Sequence, residues 1–250
     1  MISALLIGRK GSVGFPKKNT FLFRGKPMAF YPMDAALKVK YVDKVFMSTD
    51  DDDLRELARK HAVTVIERPA YLCTNEALGE DVFVHGAKWI AEKNGDQELI
   101  VLLHCNAPTV LSSMIDEGIR VLRENPFYDS AVSVSRYNMW SPLRARRINA
   151  EGLLQPFVPF EAFGDPKKIN CDRDSQGDVY FADMALSIVR MSCIQNIHEG
   201  LLPQRWMGKR VYPLKQEAGC DVDYEWQIPQ VEYWLNKNLP VTKDMSSRHV

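Results

Sequence analysis

The chain has 250 residues, of which 46 % are apolar and 26 % charged, which is enough for one large folded domain. Its 32 basic residues balance 32 acidic residues, so charge gives no general support for a nucleic-acid or membrane partner. Its longest apolar stretches, such as Leu99–Leu103, are far too short to span a bilayer, and the first residues lack the pattern of a secretory signal. Five cysteines without metal-ligand spacing indicate free thiols in a reducing compartment. We therefore expect a cytoplasmic protein.

Strand and helix patterns alternate over the first 136 residues. The predicted elements are the strand Ile2–Ile7, the helix Pro27–Val39, the strand Lys44–Ser48, the helix Leu54–His61, the strand Val63–Ile66, the helix Gly79–Lys93, the strand Leu99–His104, the helix Ser112–Glu124 and the strand Ser130–Ser135. The run Asp50–Asp53 is expected to cap the second helix, and Ser112 the fourth. This rhythm predicts a three-layer α/β fold, with a doubly wound, mostly parallel sheet and helices on both faces.

The pattern changes after Arg136. Residues 137–177 are rich in Pro, Arg and Asp and show no clear period, so we expect an extended arm or hairpins within a single domain of residues 1–250. The elements expected after this arm are the strands Val179–Arg190 and Arg210–Leu214, the closing helix Asp223–Asn236 and a loose tail Thr242–Val250.

The first strand leads into a loop, residues 8–19, that contains three glycines and four basic side chains. Glycine allows backbone N–H groups to approach a ligand closely, and lysine and arginine add positive charge beside those donors. The spacing is neither that of a Walker A loop nor that of a dinucleotide fingerprint, because Gly8, Gly11 and Gly14 are each three residues apart. A mobile surface turn is the alternative interpretation. The position after a strand of an α/β sheet favours a polyphosphate site.

Five ordered motifs span most of the chain: Gly8–Asn19, Gly25–Met28, Met47–Asp51, Arg68-Pro69 and Asp221-Val222-Asp223. Together they resemble the acylneuraminate cytidylyltransferase family, which includes the CMP-nonulosonic acid and CMP-Kdo synthetases. The resemblance implies a nucleotide-diphospho-sugar transferase-like fold with a dimerisation arm, and hence a homodimer. It also implies Mg²⁺-dependent transfer of CMP from CTP to an acidic sugar for glycan assembly, with release of pyrophosphate.

The resemblance also implies roles for the residues that match. The implied catalytic residues are Arg9, Lys18, Asp221 and Asp223. The implied nucleotide-binding residues are Gly8, Arg9, Lys10, Gly11, Ser12, Lys18, Asn19, Arg68 and His104. The implied substrate-binding residues are Asn106, Arg144, Arg173 and Gln176. Asp221 and Asp223 are the implied Mg²⁺ ligands, and their spacing places both carboxylates on one side of an extended chain.

Three departures from the family pattern leave alternatives open. Val13 stands where the family has lysine, His104 where it has glutamine and Val110 where it has arginine. These changes allow another nucleoside triphosphate, or a sugar 1-phosphate or phosphonate acceptor. A non-catalytic nucleotide-binding scaffold is an alternative of another class, supported by Val13. His104 has a further interpretation as a core histidine, and Asp223 as a helix cap.

Overall fold

The computed structural model describes residues 1–170, 172 and 177–240 of the chain. The strands are β1 Ile2–Ile7, β2 Leu22–Phe23, β3 Lys26–Pro27, β4 Lys44–Thr49, β5 Thr64–Glu67, β6 Leu99–His104, β7 Ser130–Arg136, β8 Arg146–Ile148, β9 Leu154–Pro156, β10 Tyr180–Arg190 and β11 Val211–Gln216. The helices are α1 Phe30–Leu37, α2 Asp52–Lys60, α3 Gly79–Asn94, α4 Ser112–Glu124, α5 Met191–Gln195 and α6 Ile228–Asn238.

Seven strands form the central sheet in the order β11-β7-β10-β6-β1-β4-β5. β10 runs antiparallel to β6 and β7, whereas the other neighbouring pairs are parallel. The predicted mostly parallel sheet is therefore confirmed. Because six strands share one direction, the carboxyl ends of β1, β4, β6 and β7 lie along a single edge, where ligands bind in open α/β sheets.

Helices cover both faces of this sheet, as the sequence predicts. Leu6 and Met47 pack with α1, α2 and α4 on one face. Leu5 and Phe46 face the other way and pack with α3 and α5. Successive side chains of a strand point to opposite faces, so the uninterrupted apolar runs of β1 and β6 fit strands that are covered on both sides.

Several helix boundaries differ from expectation. The first helix, predicted over Pro27–Val39, covers only Phe30–Leu37, because Pro27 is paired with Leu22 in the short β2–β3 hairpin. Asp51 caps α2 as expected, since its carboxylate accepts from the backbone N–H groups of Asp53 and Leu54. The expected cap Ser112 is instead the first residue of α4, and Leu111 occupies the cap position without a side-chain hydrogen bond. The closing helix is shifted from the predicted Asp223 start to Ile228, behind a single 3₁₀ turn, because Tyr224 still has extended backbone angles.

The segment from residue 137 to residue 179 leaves the end of β7 and returns at the start of β10. It contains short 3₁₀ turns and the hairpin formed by β8 and β9, in agreement with the expected hairpins. Large apolar side chains are exposed along it, among them Trp140, Leu154 and Phe157. Whether this segment is a dimerisation arm stays a prediction, and the expected tail of residues 242–250 lies outside the described residues.

Two further expectations concern thiols and membrane spans. The cysteines in the described part of the chain, Cys73, Cys105, Cys193 and Cys220, carry free thiols, as expected. None of the helices within residues 1–170, 172 and 177–240 combines the length and apolar character needed to cross a bilayer.

Candidate active site

A cavity of about 360 Å³ opens at the carboxyl ends of β1 and β6, where Ile7 pairs with His104. The predicted site residues that line it are Gly8, Arg9, Ser12, Lys18, Asn19, Arg68, His104, Asn106 and Asp223. Lys18 and Asp223 lie 205 positions apart in the chain, yet their side chains form an ion pair here. The fold therefore brings the basic loop and a carboxylate of the C-terminal motif to one site.

The glycine-rich loop is fastened near both of its ends. The backbone N–H of Lys10 donates to the Asp50 carboxylate at 2.9 Å. The Arg9 guanidinium donates to the Asn75 side-chain oxygen, and the Asn19 amide donates to the Arg9 carbonyl at 3.2 Å. Asn19 is itself buried, so at least part of its role is to close the loop on itself.

The middle of the loop, residues 11–14, is open. The described residues offer no hydrogen-bond partner to the backbone N–H groups of these four positions. Gly11 has a φ of 77°, which an L side chain rarely adopts. A run of free N–H groups beside lysine and arginine is a concave anion site, so the local geometry supports a phosphate cradle. Lys10 and Gly11 line an adjoining depression rather than the cavity itself.

Gly14 shows how closely the loop approaches the C-terminal motif. A Cβ at this position would lie 2.7 Å from the backbone oxygen of Asp223 and 3.4 Å from the Tyr224 ring. Contacts of 2.7 Å are not tolerated between a methyl group and a carbonyl oxygen, so this approach requires glycine. The two segments therefore touch, and neither can shift without moving the other.

The two carboxylates of the motif have different environments. Asp223 is exposed to 56 % and paired with Lys18, which is only 16 % exposed. Asp221 is half-buried, and burial raises its pKa to about 6, with a further rise from the negative charge of Asp223 and an opposing effect of Lys18. One lysine between two carboxylates leaves an excess negative charge at this end of the cavity.

This donor set fits a hard divalent cation. Mg²⁺ prefers oxygen ligands and is commonly held by one or two carboxylates together with substrate phosphates. Within the described residues, no group of three or more His, Cys, Asp or Glu side chains could hold a metal. The pair Asp221 and Asp223 therefore fits an ion that takes its remaining ligands from a bound polyphosphate and from water.

Arg68, implied to bind the nucleotide, connects the ends of two strands. Its Nη2 donates to the carbonyl oxygens of Gly8 at 3.1 Å and Ser48 at 2.8 Å. Burial lowers the pKa of this guanidinium. Arg68 thus holds β1 and β4 together directly below the loop while it lines the cavity, and its contact with a nucleobase stays a prediction.

His104 has a defined protonation state. Burial lowers its pKa to about 4, so the ring is neutral near pH 7. Its Nδ1 lies 3.0 Å from the carbonyl oxygen of Met184, and because a carbonyl only accepts, Nδ1 must carry the proton. The Nε2 atom, which has no partner among the described residues, is therefore a hydrogen-bond acceptor. The fold supplies a hydrogen-bond partner for Nδ1, as expected of a core histidine. The ring also lines the cavity.

Asn106, implied to bind substrate, has a structural bond that the sequence did not reveal. Its side-chain amide donates to the carbonyl oxygen of Val222 at 3.0 Å. The residue thus fastens the C-terminal motif to the loop after β6, although it also borders the cavity.

Of the remaining implied substrate residues, only Arg144 belongs to the described part of the chain. Arg144 lies exposed in the 3₁₀ turn Pro142–Arg144 and is absent from the cavity wall. Arg173 and Gln176 lie outside the described residues. The substrate-binding roles of these three residues therefore stay predictions that rest on the family resemblance.

Sequence reasoning missed several residues that shape the site, namely Tyr224 on the cavity wall and Thr109 and Gln227 behind the carboxylates. The aspartate motif could have pointed to the residues beside it, since neighbouring side chains must hold its backbone in place. Thr109 contacts Cys220 from 111 positions away, so only a tertiary contact identifies it, whereas Gln227 lies six positions from Asp221.

The sheet, the open loop and the cavity define a nucleotidyltransferase-like α/β protein. A family model described as cytidylyltransferase matches residues 4–184, which is well over half of the chain. The chain therefore belongs to the cytidylyltransferase family, and the family predicted from the five motifs is confirmed. The match ends before Asp221, so it does not itself cover the carboxylate pair.

Similar proteins include N-acylneuraminate cytidylyltransferases from two distant sources. The protein of Streptococcus agalactiae is 32 % identical over 133 residues, covering 52 % of this chain and 31 % of that protein. The protein of Oncorhynchus mykiss is 22 % identical over 232 residues, covering 92 % of this chain and 49 % of that protein. The chain thus spans between about a third and a half of the length of these two relatives.

Solved structures share the whole fold. CMP:2-keto-3-deoxy-manno-octonic acid synthetase complexed with CTP is 15 % identical, with a TM-score of 0.66 over 95 % of this chain and 99 % of that one. The 4-diphosphocytidyl-2C-methyl-D-erythritol synthase of Anaerococcus prevotii is 13 % identical, with a TM-score of 0.62 over 93 % of this chain and 95 % of that one. The nucleotidyltransferase-like architecture predicted from the sequence is confirmed.

Proposed function

We propose that this protein transfers CMP from CTP to an acidic sugar of the nonulosonic type and releases pyrophosphate. The observation that carries the proposal is that an open N–H loop and the carboxylate of Asp223 meet in one cavity, with Asp221 two residues away in the chain. The names of the similar proteins, which include acylneuraminate cytidylyltransferases and a CTP-bound CMP-sugar synthetase, support both the nucleotide and the acidic acceptor.

In this proposal the loop binds the triphosphate. The backbone N–H groups of residues 11–14 point to no other partner among the described residues, so phosphate oxygens would satisfy them. Arg9 and Lys18 line the same cavity and would neutralise part of the phosphate charge. Donors bound to the phosphate oxygens orient the α-phosphorus and stabilise the charge that develops on it during transfer.

The carboxylates would act on the metal ion and, through it, on the acceptor hydroxyl. Asp221 and Asp223 would hold Mg²⁺, which supplies charge neutralisation and lowers the pKa of a nearby hydroxyl. The acceptor hydroxyl oxygen forms a bond to the α-phosphorus while its proton passes to solvent water, and the bond from that phosphorus to the bridging oxygen of pyrophosphate breaks. Lys18, already paired with Asp223, is placed to stabilise the departing pyrophosphate.

An acidic acceptor requires positive charge beyond the phosphate cradle. We assign this role to Arg144 and Arg173, with Gln176 and Asn106 as polar contacts, on the basis of the family resemblance. Arg144 is exposed and does not line the cavity of its own chain, so a second copy of the chain would bring it to a cavity if residues 137–177 form a homodimer interface. We place the reaction in the cytoplasm, where CTP is available.

Release of pyrophosphate tests the proposal directly. The full chain is incubated with CTP, Mg²⁺ and separately with N-acetylneuraminate, legionaminate, pseudaminate and Kdo. Pyrophosphate should appear with at least one sugar, and should disappear when the sugar is omitted or the metal is chelated. A folded protein that is silent with every sugar would contradict the proposal.

A different nucleotide is the second candidate, because Val13 and His104 both line the cavity and both depart from the family pattern. Thermal stabilisation by CTP, UTP, GTP and ATP, each with Mg²⁺, separates the two. CTP should raise the melting temperature most. A larger rise with another nucleotide would retain the nucleotidyl transfer and discard the cytidine assignment.

A further inference from the structure

Gln227 makes two hydrogen bonds to the backbone of the aspartate motif and a third to the backbone of the next residue, Tyr224. Its Nε2 donates to the carbonyl oxygen of Asp221 at 3.1 Å. Its Oε1 accepts from the backbone N–H groups of Asp223 and Tyr224, each at 2.8 Å. One side-chain amide thus bonds to the backbone of both carboxylate residues.

A helix cap explains only part of this arrangement. Gln227 is the third residue of the 3₁₀ turn and bonds to the N–H of Tyr224, which forms a capping box. The bonds to Asp221 and Asp223 lie upstream of the cap and are not required to start the turn. They act on the carboxylate motif rather than on the helix that follows it.

The other side of the motif is bonded to the loop after β6. The N–H of Val222 donates to the carbonyl of Asn106 at 2.8 Å, and the Asn106 amide donates back to the carbonyl of Val222 at 3.0 Å. The Thr109 hydroxyl bonds both the N–H and the carbonyl of Cys220. Val222, between the two carboxylates, is fully buried. The backbone from residue 220 to residue 224 is therefore fixed from two directions.

We propose that Gln227 is a positioning residue that holds the carboxylates of Asp221 and Asp223 at the separation a divalent cation requires, before any nucleotide arrives. This inference rests on the proposed function, since it takes the pair as metal ligands. Two adjacent carboxylates repel each other, and a backbone that is free to rotate would let them move apart. Gln227 does not line the cavity, so it acts through the motif and not on the substrate.

Gln230 offers a matched control three residues further on, in the first turn of α6. It is half-buried like Gln227, and its Nε2 donates to the carbonyl of Ala218 at 3.1 Å and to the Tyr137 hydroxyl. Its bonds hold a neighbouring loop and not the aspartate motif. A general loss of packing should therefore affect Gln227→Ala and Gln230→Ala alike, whereas a loss of carboxylate positioning should affect only the first.

The test titrates Mn²⁺ into nucleotide-free protein and follows the electron paramagnetic resonance signal of the free ion. Loss of an outer-shell partner typically weakens metal binding about 10- to 100-fold, so Gln227→Ala should raise the Kd for Mn²⁺ by at least about tenfold. Gln230→Ala should leave that Kd unchanged. Pyrophosphate release should show the same rise in the half-saturating Mg²⁺ concentration for Gln227→Ala, with little change in kcat at saturating metal.

Gln227→Glu provides a second variant if the alanine variant does not fold. It keeps an acceptor for the N–H groups of Asp223 and Tyr224 but, when ionised, has no donor for Asp221, so its Mn²⁺ affinity should also fall. Equal Mn²⁺ affinity in the wild type and in the folded Gln227 variants would overturn the inference. Failure of the wild type to release pyrophosphate while it binds Mn²⁺ in a Gln227-dependent way would instead overturn the proposed function.

Discussion

The loop of residues 11–14 and the segment of residues 220–224 meet at one cavity, which Ser12–Gly14 and Asp223–Tyr224 line, but the two backbones are held in different ways. The described residues give the loop no hydrogen-bond partner for four successive N–H groups. The C-terminal segment is bonded by the side chains of Asn106, Thr109 and Gln227. Val13 at the centre of the loop is 75 % exposed, whereas Val222 at the centre of the segment is fully buried.

The difference separates two tasks that a site for phosphate transfer must perform. Free N–H groups can adjust to a flexible triphosphate, and the bound anion then supplies their missing partners. Carboxylates that share a cation gain from a fixed geometry, because reorganisation during the reaction is then avoided. The comparison therefore predicts severe effects at the fixed segment and milder ones in the open loop.

The largest effect is expected from the carboxylate that pairs with Lys18. Asp223→Asn removes a negative charge that would hold the cation, and such a cation contributes several kcal/mol to transition-state stabilisation. The value of kcat should therefore fall by roughly 10²- to 10³-fold. Steady-state pyrophosphate release measures the change. Glu217→Gln is the control, since Glu217 is also an exposed carboxylate with a lysine partner, Lys237, away from the cavity. An equal fall in kcat in both variants would show that Asp223 has no specific role in the reaction.

The contact between the two segments gives the next prediction. In Gly14→Ala the new methyl group would meet the Asp223 carbonyl at 2.7 Å and push the loop away from the carboxylates. Misplacement by about 1 Å can cost as much as about 100-fold, so kcat should fall roughly 10- to 100-fold. Gly11→Ala should lose less, because no atom lies within 4 Å of its new Cβ and only the positive φ is unfavourable. A larger fall in kcat for Gly11→Ala than for Gly14→Ala would contradict this prediction.

The fixed side of the cavity should also respond to pH through His104. Its pKa is lowered to about 4 in the folded chain, so the unfolded chain binds more protons as the pH falls below the ordinary value near 6.5. Stability should therefore fall with falling pH, by about 1–2 kcal/mol between pH 7.5 and pH 5.5. Urea unfolding measures this slope. His104→Gln should remove this part of it, and an unchanged slope in the variant would refute the assigned neutral state.

The smallest effect tests how adaptable the loop is. Val13→Lys introduces the lysine of the family pattern at an exposed position on the cavity wall. One added charge-assisted contact should lower the KM for CTP by roughly 3- to 10-fold, with little change in melting temperature. Val13→Met, which is long but uncharged, should leave that KM unchanged. A clear fall in the melting temperature of Val13→Lys would contradict this interpretation, because it would show that the loop cannot accept a longer side chain.

The sequence predicted the parts of the molecule that follow from periodicity and from ordered motifs. The apolar runs of β1 and β6 and their alternation with helical segments identified the layers, because a strand that is buried on both faces leaves a continuous apolar run. The predicted start of α6 at Asp223 was wrong, since Tyr224 keeps extended backbone angles and Gln227 bonds back to Asp221 and Asp223, contacts that helical periodicity does not predict. Asn106 showed the same limit, because its bond to Val222 joins residues 116 positions apart.

A crystal structure of the full chain with CTP and Mg²⁺ tests the central claim most directly. The account predicts phosphate oxygens within hydrogen-bond distance of the N–H groups of residues 11–14 and of Lys18. It also predicts a Mg²⁺ ion about 2.1 Å from oxygens of Asp221 and Asp223 and from a phosphate of the same nucleotide. A triphosphate bound away from the loop, or one that contacts the loop while both aspartates stay without a metal, would contradict the account.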